Sequence, residues 1–486
     1  MSRRRFFPSL LYWLDRLHWL WLALAAPFML FPSPNRSLAM LIVPGSWLLH
    51  WLVLGRQSFH APHSTLHPPR STLHAPPSTL HTLTPTPLNT ALLLLALMVL
   101  VSEWATFDMA YSLPKISGMV LGLGVFFAVA REGERSRGWW LSLLAFFGIG
   151  LGIAGLGSLG TRWASSKIAL LEPIVTRLPK LITGLQGAES GFHPNEVAGA
   201  LIWVLPVMVA LSVYFVIPLR NSPSPKLGRG GWGVRALLWL VTFFVGAVFV
   251  LTQSRGGYIG LALTLPLLIL IALPRRWRWY SLIAFVVLAI LLGFFVASRW
   301  EAVRAWVAGS DLAADPALSL NSLEGRLEVW SRAIYGIQDF PFTGMGMNAF
   351  RKVVPVLYPL FLVSPDVDIG HAHNEFLQAA LDLGIPGLIA FIAIYIIAFW
   401  MLVDIWRNVP TFNACPPGRT PGRCEYSRRI QRATLLGLGG GLLAHMLYGL
   451  TDAVALGAKP GLLFWMLLGL IAGLYEQMRA RESLAA

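Results

Sequence analysis

Runs of about twenty apolar residues recur along the whole of this 486-residue chain, and this recurrence restricts its fold more than any other feature. A run of that length is what an α-helix needs to cross the hydrocarbon of a bilayer, at about 1.5 Å per residue. Backbone N–H and C=O groups in lipid must bond within their own segment, so spans of this kind are helices rather than open strands. About twelve such spans lie over residues 10–31, 38–54, 89–105, 114–130, 139–159, 195–217, 236–253, 256–273, 279–297, 376–403, 434–451 and 460–476. Hydrophobic residues make up 56% of the chain and charged ones 13%, where soluble domains carry about a quarter. The expected fold is therefore all-α, a polytopic integral membrane protein of about twelve transmembrane helices.

The basic residues orient it. Arg3, Arg4 and Arg5 precede the first span, and threading the spans from a cytoplasmic N-terminus places most of the 38 basic residues on the inner side. Arg131, Arg135, Arg137, Arg275, Arg276, Arg428, Arg429 and Arg432 are among them, and both termini are expected inside. The net charge of +15 reflects this bias and attraction to anionic membrane lipid, not nucleic-acid binding, because the basic residues sit in short loops between spans. The first apolar stretch is long and lacks a small-residue cleavage site, so it reads as a span and not as a cleavable leader. The two cysteines, Cys415 and Cys424, fall in an inner loop and read as free thiols.

Five segments follow: 1–54 with the first two spans, a linker over 55–88, a bundle over 89–297, a large outer loop over 298–374, and C-terminal spans over 375–486. The 55–88 tract is rich in Pro, His, Ser and Thr and repeats STLH at 64–67, 71–74 and 78–81. It reads as a disordered cytoplasmic linker; metal binding through its histidines is the alternative, without an acidic or cysteine co-ligand nearby. Over 161–195, apolar residues at helical spacing, from Ile168 to Ile182, predict a helix lying in the interface plane. The 298–374 loop is far longer than an ordinary connection, which points to function. Leu327, Trp330, Ile334 and Ile337 predict one face of an amphipathic helix there, and a second helix is expected around 350–357, so the loop reads as a helical cap.

Polar residues at the outer boundary carry the candidate chemistry. His371, His373 and Asn374 run straight into an apolar helix, and neutral imidazole accepts protons near pH 7. His-x-His is also a weak chelate signal, with Asp366 and Asp368 as possible further ligands. Arg255 sits between two closely spaced spans beside Gly256 and Gly257, where a guanidinium suits a phosphate or diphosphate or anchors a helix end. Arg326 reads either as a second anion contact or as a solvated helix residue. His445 and Asp452 are the ionisable residues read nearest mid-membrane.

Several of these motifs together resemble the O-antigen ligase family, which includes O-antigen polymerases and protein O-oligosaccharyltransferases. The resemblance rests on His373-Asn374 followed by Gly384 and Gly387, on Ser254-Arg255-Gly256, on Pro194-Asn195, and on Gly325-Arg326 through Trp330 and Pro341 to Gly344-Met345-Gly346. It covers roughly residues 191–391. It implies a C-type glycosyltransferase fold and a metal-independent, cofactor-free transfer of glycan from a polyprenyl-diphosphate carrier to a lipid or glycan acceptor hydroxyl at the outer face of a bacterial inner membrane. By position, His373 would be the general base and Arg255 and Arg326 would hold the diphosphate. His371, Asn374, Asn195 and His193 would support them. Ligase, polymerase and protein-glycosylating activities stay open. A transporter of bicarbonate or another solute is the alternative from another class, with the Gly384–Gly387 run as a helix interruption, and a structural scaffold is the last.

Overall fold

The computed structural model describes residues 22, 26, 86–163, 168–184, 188, 190–216, 230–273, 275–301, 323–363, 369–412, 421–454 and 456–485. The first two expected spans, save the helical Leu22 and Ala26, lie outside these residues, as do the 55–85 repeat tract, Asp366, Asp368 and Cys415. Among the described residues the main helices are α1 (Asn89–Ala105), α2 (Met109–Gly133), α3 (Ser136–Gly160), α4 (Pro194–Val216), α5 (Gly230–Leu251), α6 (Arg255–Ala272), α7 (Arg275–Ser298), α8 (Leu323–Asp339), α9 (Phe350–Leu357), α10 (Glu375–Phe412), α11 (Pro421–Tyr448) and α12 (Leu462–Ala485). The expected spans that fall on described residues are all helices. The protein is a polytopic helical membrane protein; among the described residues eight helices are long and apolar enough to cross a bilayer. Helix α1 is shorter, and α11 falls outside the eight, its first half carrying Arg423, Arg428, Arg429 and Arg432.

Burial sorts the helices. The most extensive packing joins α4 to α11 and α2 to α12. Small residues make the first of these possible: a Cβ on Gly437 would meet Val207 Cα at 2.5 Å, and one on Gly441 would meet the Trp203 carbonyl at 2.5 Å. His445 of α11 is fully buried, stacked on Trp203 at 4.1 Å between ring centroids, with Nδ1 3.1 Å from the Tyr395 hydroxyl. At the other extreme, α7 turns its whole apolar stretch outward, as a lipid-facing helix does.

Two expectations are corrected. The interface helix over 161–195 is only a short turn, Ala169–Leu171 and Glu172–Val175, followed by extended chain. Pro179 removes a backbone donor there, and the apolar residues are divided between burial (Val175) and exposure (Leu170, Leu181). In α8 the buried face is Val329, Ala333 and Gly336, while Leu327 and Ile334 are about half exposed. Small residues win this face because Gly336 lies against Met345 and Leu381, where a larger side chain would not fit. Glu328 joins the buried face because its carboxylate accepts the N–H groups of Phe361, Leu362 and Val363 at 2.6, 2.9 and 3.1 Å.

The cap, α8 and α9, has its own core of Val329, Ala333, Met345, Phe350, Val354 and Val363, and that core includes Ala372 and Leu381. The cap plugs a break in α10. Gly384 has φ 70° and ψ 177°, a conformation open to glycine, and it separates a first segment ending at Leu383 from the long remainder. The backbone groups freed at the break are taken up by the cap: Ile385 N donates to Pro341 O, and Met345 N donates to Leu381 O, each at 2.7 Å. A Cβ at 384 would stand 2.5 Å from the Phe342 carbonyl. Gly384→Ala should therefore destabilise the protein by about 1–3 kcal/mol or more, read as a lower melting temperature in detergent. A wild-type melt would show that the break is not strained.

Candidate functional site

The site is built where four chain turns meet at the cap end of the bundle. Asn374 opens α10: its Oδ1 accepts the N–H groups of Phe376 and Leu377 at 3.0 Å, and its Nδ2 donates to Leu450 O at 3.2 Å. Glu375 N donates to Gly449 O at 2.6 Å, and the buried Glu375 carboxylate accepts Val454 N at 2.5 Å and Leu456 N at 3.1 Å. These bonds fasten the start of α10 to the turn between α11 and α12. The same turn receives α4, because the Tyr448 hydroxyl donates to Asn195 O at 2.7 Å. It also receives the α5–α6 turn, because Gly256 packs directly on Thr451, leaving no room for a Cβ. Ser254 caps α6 through Gly257 N, and Arg255 is the first residue of that helix.

This assembly brings Asp452 against the imidazoles. Asp452 Oδ1 lies 3.5 Å from His371 Nε2 and 3.7 Å from His373 Nδ1, and the two rings meet edge to face at 4.4 Å. His373 N donates to His371 Nδ1 at 3.2 Å. His373 itself has φ 49°, a left-handed conformation that costs a side-chain-bearing residue about 1 kcal/mol or more and persists where its surroundings hold it. His193 lies close enough for its charge to be felt at both His371 and Asp452, and its Nδ1 accepts Asn195 N at 3.3 Å.

Charge divides clearly here. Burial, followed by the facing His373, pushes the His371 pKa down to about 3, against the pull of Asp452. Burial opposes charge on Asp452, yet the His373 contact, with electrostatic interaction from the imidazoles packed around it, holds it well below the usual carboxylate range. The site therefore carries a neutral His371 and an ionised Asp452 at pH 7. Among the described residues, His371, His373 and Asp452 also offer ligand atoms within 4.8 Å of one another, a set able to close on a divalent cation.

The arginines form a second group. Arg255 and Arg326 come from α6 and α8 and are near enough to repel each other. Arg326 Nε is buried without a hydrogen-bond partner, an arrangement an anion would relieve. Their connection to the imidazoles runs through backbone, from Arg255 to Gly256 on Thr451, the neighbour of Asp452. Asn374 acts locally as a helix cap, and Asn195 is a buried residue in the first turn of α4.

Residues 240–392 match the model of a family described as O-antigen ligase. This stretch is similar to the O-antigen ligase family. No curated protein matches it. The matched segment runs from α5 past the break in α10 and contains Arg255, Arg326, His371, His373 and Asn374. His193, Asn195 and Asp452 lie outside it and are joined to it by the contacts above. Sequence reading placed Asp452 near mid-membrane; the structure places it after α11, beside the imidazoles. Its signal was an acid between two apolar spans, without an indication of which residues it faces.

Acid should loosen this site. Below about pH 6.5 an unfolded His371 takes up a proton that the folded one refuses until about pH 3, so stability falls as pH drops through that window. Asp452 adds a further loss as pH falls through its own depressed value. The melting temperature in detergent should fall from pH 7 to pH 5, with a shallower fall in His371→Gln. Equal slopes in the two proteins would contradict the burial of a neutral His371.

Proposed function

We propose that this protein is a membrane glycosyltransferase of surface polysaccharide synthesis. It moves a glycan from a polyprenyl-diphosphate carrier to an acceptor hydroxyl at the outer face of a bacterial inner membrane, in the manner of an O-antigen ligase. The observation that carries this reading is the convergence of His373 and Asp452 with the Arg255 turn, within and beside the segment similar to the O-antigen ligase family. The distribution of Arg and Lys supports a cap that faces outward and cytoplasmic termini.

The chemistry balances as follows. The Nδ1 side of His373 faces Asp452, leaving Nε2 to take the acceptor hydroxyl proton. The acceptor oxygen forms the new bond to the anomeric carbon as the bond from that carbon to the diphosphate breaks. The diphosphate leaves with the electron pair, and Arg255 and Arg326 hold its charge. Asp452 steadies the imidazolium as it forms. His371 and His193 set the field around this pair, and Asn374 and Asn195 hold the turns that carry it. The donor arrives already activated, so the step calls for neither nucleotide nor metal. A polymerase, with a second lipid-linked glycan as acceptor, would use the same donor chemistry.

Proteoliposomes supplied with a polyprenyl-diphosphate oligosaccharide and either a lipid A-core acceptor or a second donor molecule test this reading. Wild type should release polyprenyl diphosphate in the presence of EDTA, and His373→Ala should lose about 10²–10⁴-fold in rate. The product that carries the glycan distinguishes ligase from polymerase. Activity lost to EDTA and restored by a divalent metal would reassign His371, His373 and Asp452 as metal ligands. Full activity in both His373→Ala and Arg255→Ala would remove the proposed site.

A further inference from the structure

Behind the imidazoles lies a chain of buried polar side chains that touches neither of them. The Ala372 N–H, between His371 and His373, donates to Gln378 Oε1 at 2.8 Å. Gln378 Nε2 donates to Asp382 Oδ1 at 2.8 Å, one helical turn further along the same face of α10. Asp382 Oδ1 also accepts Asn348 N from the cap at 3.1 Å, and Asp382 Oδ2 pairs with Lys115 Nζ from α2. Asn348 in turn donates its Nδ2 to Tyr111 O of α2 at 2.9 Å. Gln378 and Asp382 are 2% and 1% exposed, so the Ala372–Gln378 and Gln378–Asp382 bonds are shielded from water, while those to Lys115 and Asn348 are partly buried.

A buried ion pair is a weak source of stability, because desolvation offsets most of its attraction. A hydrogen-bonded pair that ties three separate elements together has another use, which is to fix one register among them. We infer that Asp382 and Gln378 are positioning residues: anchored by Lys115 and by the cap backbone at Asn348, they lock the Ala372 peptide and so hold His373 in its strained conformation facing Asp452. This inference rests on the transferase reading for its catalytic consequence, but not for its geometry. Ala372 is fully buried in the cap core, and the His371–Ala372 peptide bonded by Gln378 lies one peptide before the residue with φ 49°. Releasing that peptide lets His373 relax toward ordinary backbone conformations and away from Asp452.

The test uses the full-length protein in proteoliposomes, with Gln378→Met, Asp382→Asn and the double variant beside wild type. Gln378→Met removes the Ala372 bond while keeping the volume of the side chain. Its kcat should fall about 100-fold, the size of effect a misplacement of ~1 Å produces, with KM for the lipid-linked donor unchanged because Arg255 and Arg326 are untouched. The double variant should be no slower than Gln378→Met alone, since Asp382 acts on the Ala372 peptide through Gln378. Independently of turnover, diethyl pyrocarbonate modification of His373, followed by peptide mass spectrometry, should be faster in Gln378→Met than in wild type. A Gln378→Met protein that melts like wild type and shows unchanged modification overturns the inference, as does a kcat loss matched by a rise in KM. Faster modification in a protein whose wild type releases no polyprenyl diphosphate would uphold the positioning role and refute the transferase reading instead.

Discussion

The site depends on the docking of the first residues of α10 onto the turn between α11 and α12. Glu375 gives its N–H to Gly449 O and its carboxylate to Val454 and Leu456, while Asn374 caps its own helix and reaches Leu450. The Val454 and Leu456 N–H groups are bonded in buried surroundings, and each left unsatisfied would cost about 1–3 kcal/mol. The turn so held is also the surface on which the Asn195 and Gly256 segments rest. His193, Arg255, His373 and Asp452, remote in sequence, owe their common location to this one seam.

The cap is attached by the same principle. An interrupted helix in a membrane protein is tolerated where its free backbone groups are bonded or face a cavity. At Gly384 they are bonded, to Pro341 and Met345 of the cap. The break therefore serves as a socket. This bears on the transport alternative, for which an interrupted helix would present its loose carbonyls and N–H groups to a solute or ion. It also explains why Ala372 and Leu381 belong to the core of the cap and not to that of the bundle. The loop that bears the imidazoles is a cap element by packing, fastened to the bundle at Asn374 and Glu375.

Much of this was legible in the sequence because it is written in local pattern. Apolar runs of spanning length located α1 to α7 and α10 to α12, and turn residues located α9. His371, His373 and the arginines stood out as polar groups at span ends. What escaped was set by partners distant in the chain. The buried face of α8 follows from the shape of Met345 and Leu381, so helical periodicity alone chose Leu327 and Ile334 wrongly. The helix expected around Ile168 had the right spacing, but prolines and divided burial ended it after one turn. Asp452 was visible as an acid, but its imidazole partners lie some eighty positions earlier, and no local rule connects them.

The distribution of charge explains why the imidazoles, the carboxylate and the arginines are arranged as they are. In the proposed reaction, two guanidiniums gathering a diphosphate would create a positive field, and such a field opposes an imidazolium nearby. A base working in that field needs an anion of its own, close to the ring and too well supported to be neutralised. Asp452 meets this need: it lies against two imidazoles at once, and its pKa is held low despite burial. His371 shares that anion while staying neutral, which leaves the carboxylate available to the proton that arrives on His373. The Gly256–Thr451 contact ties the turn that carries Arg255 to the turn that carries Asp452, so the proposed anion-binding and base groups are held by one piece of backbone packing.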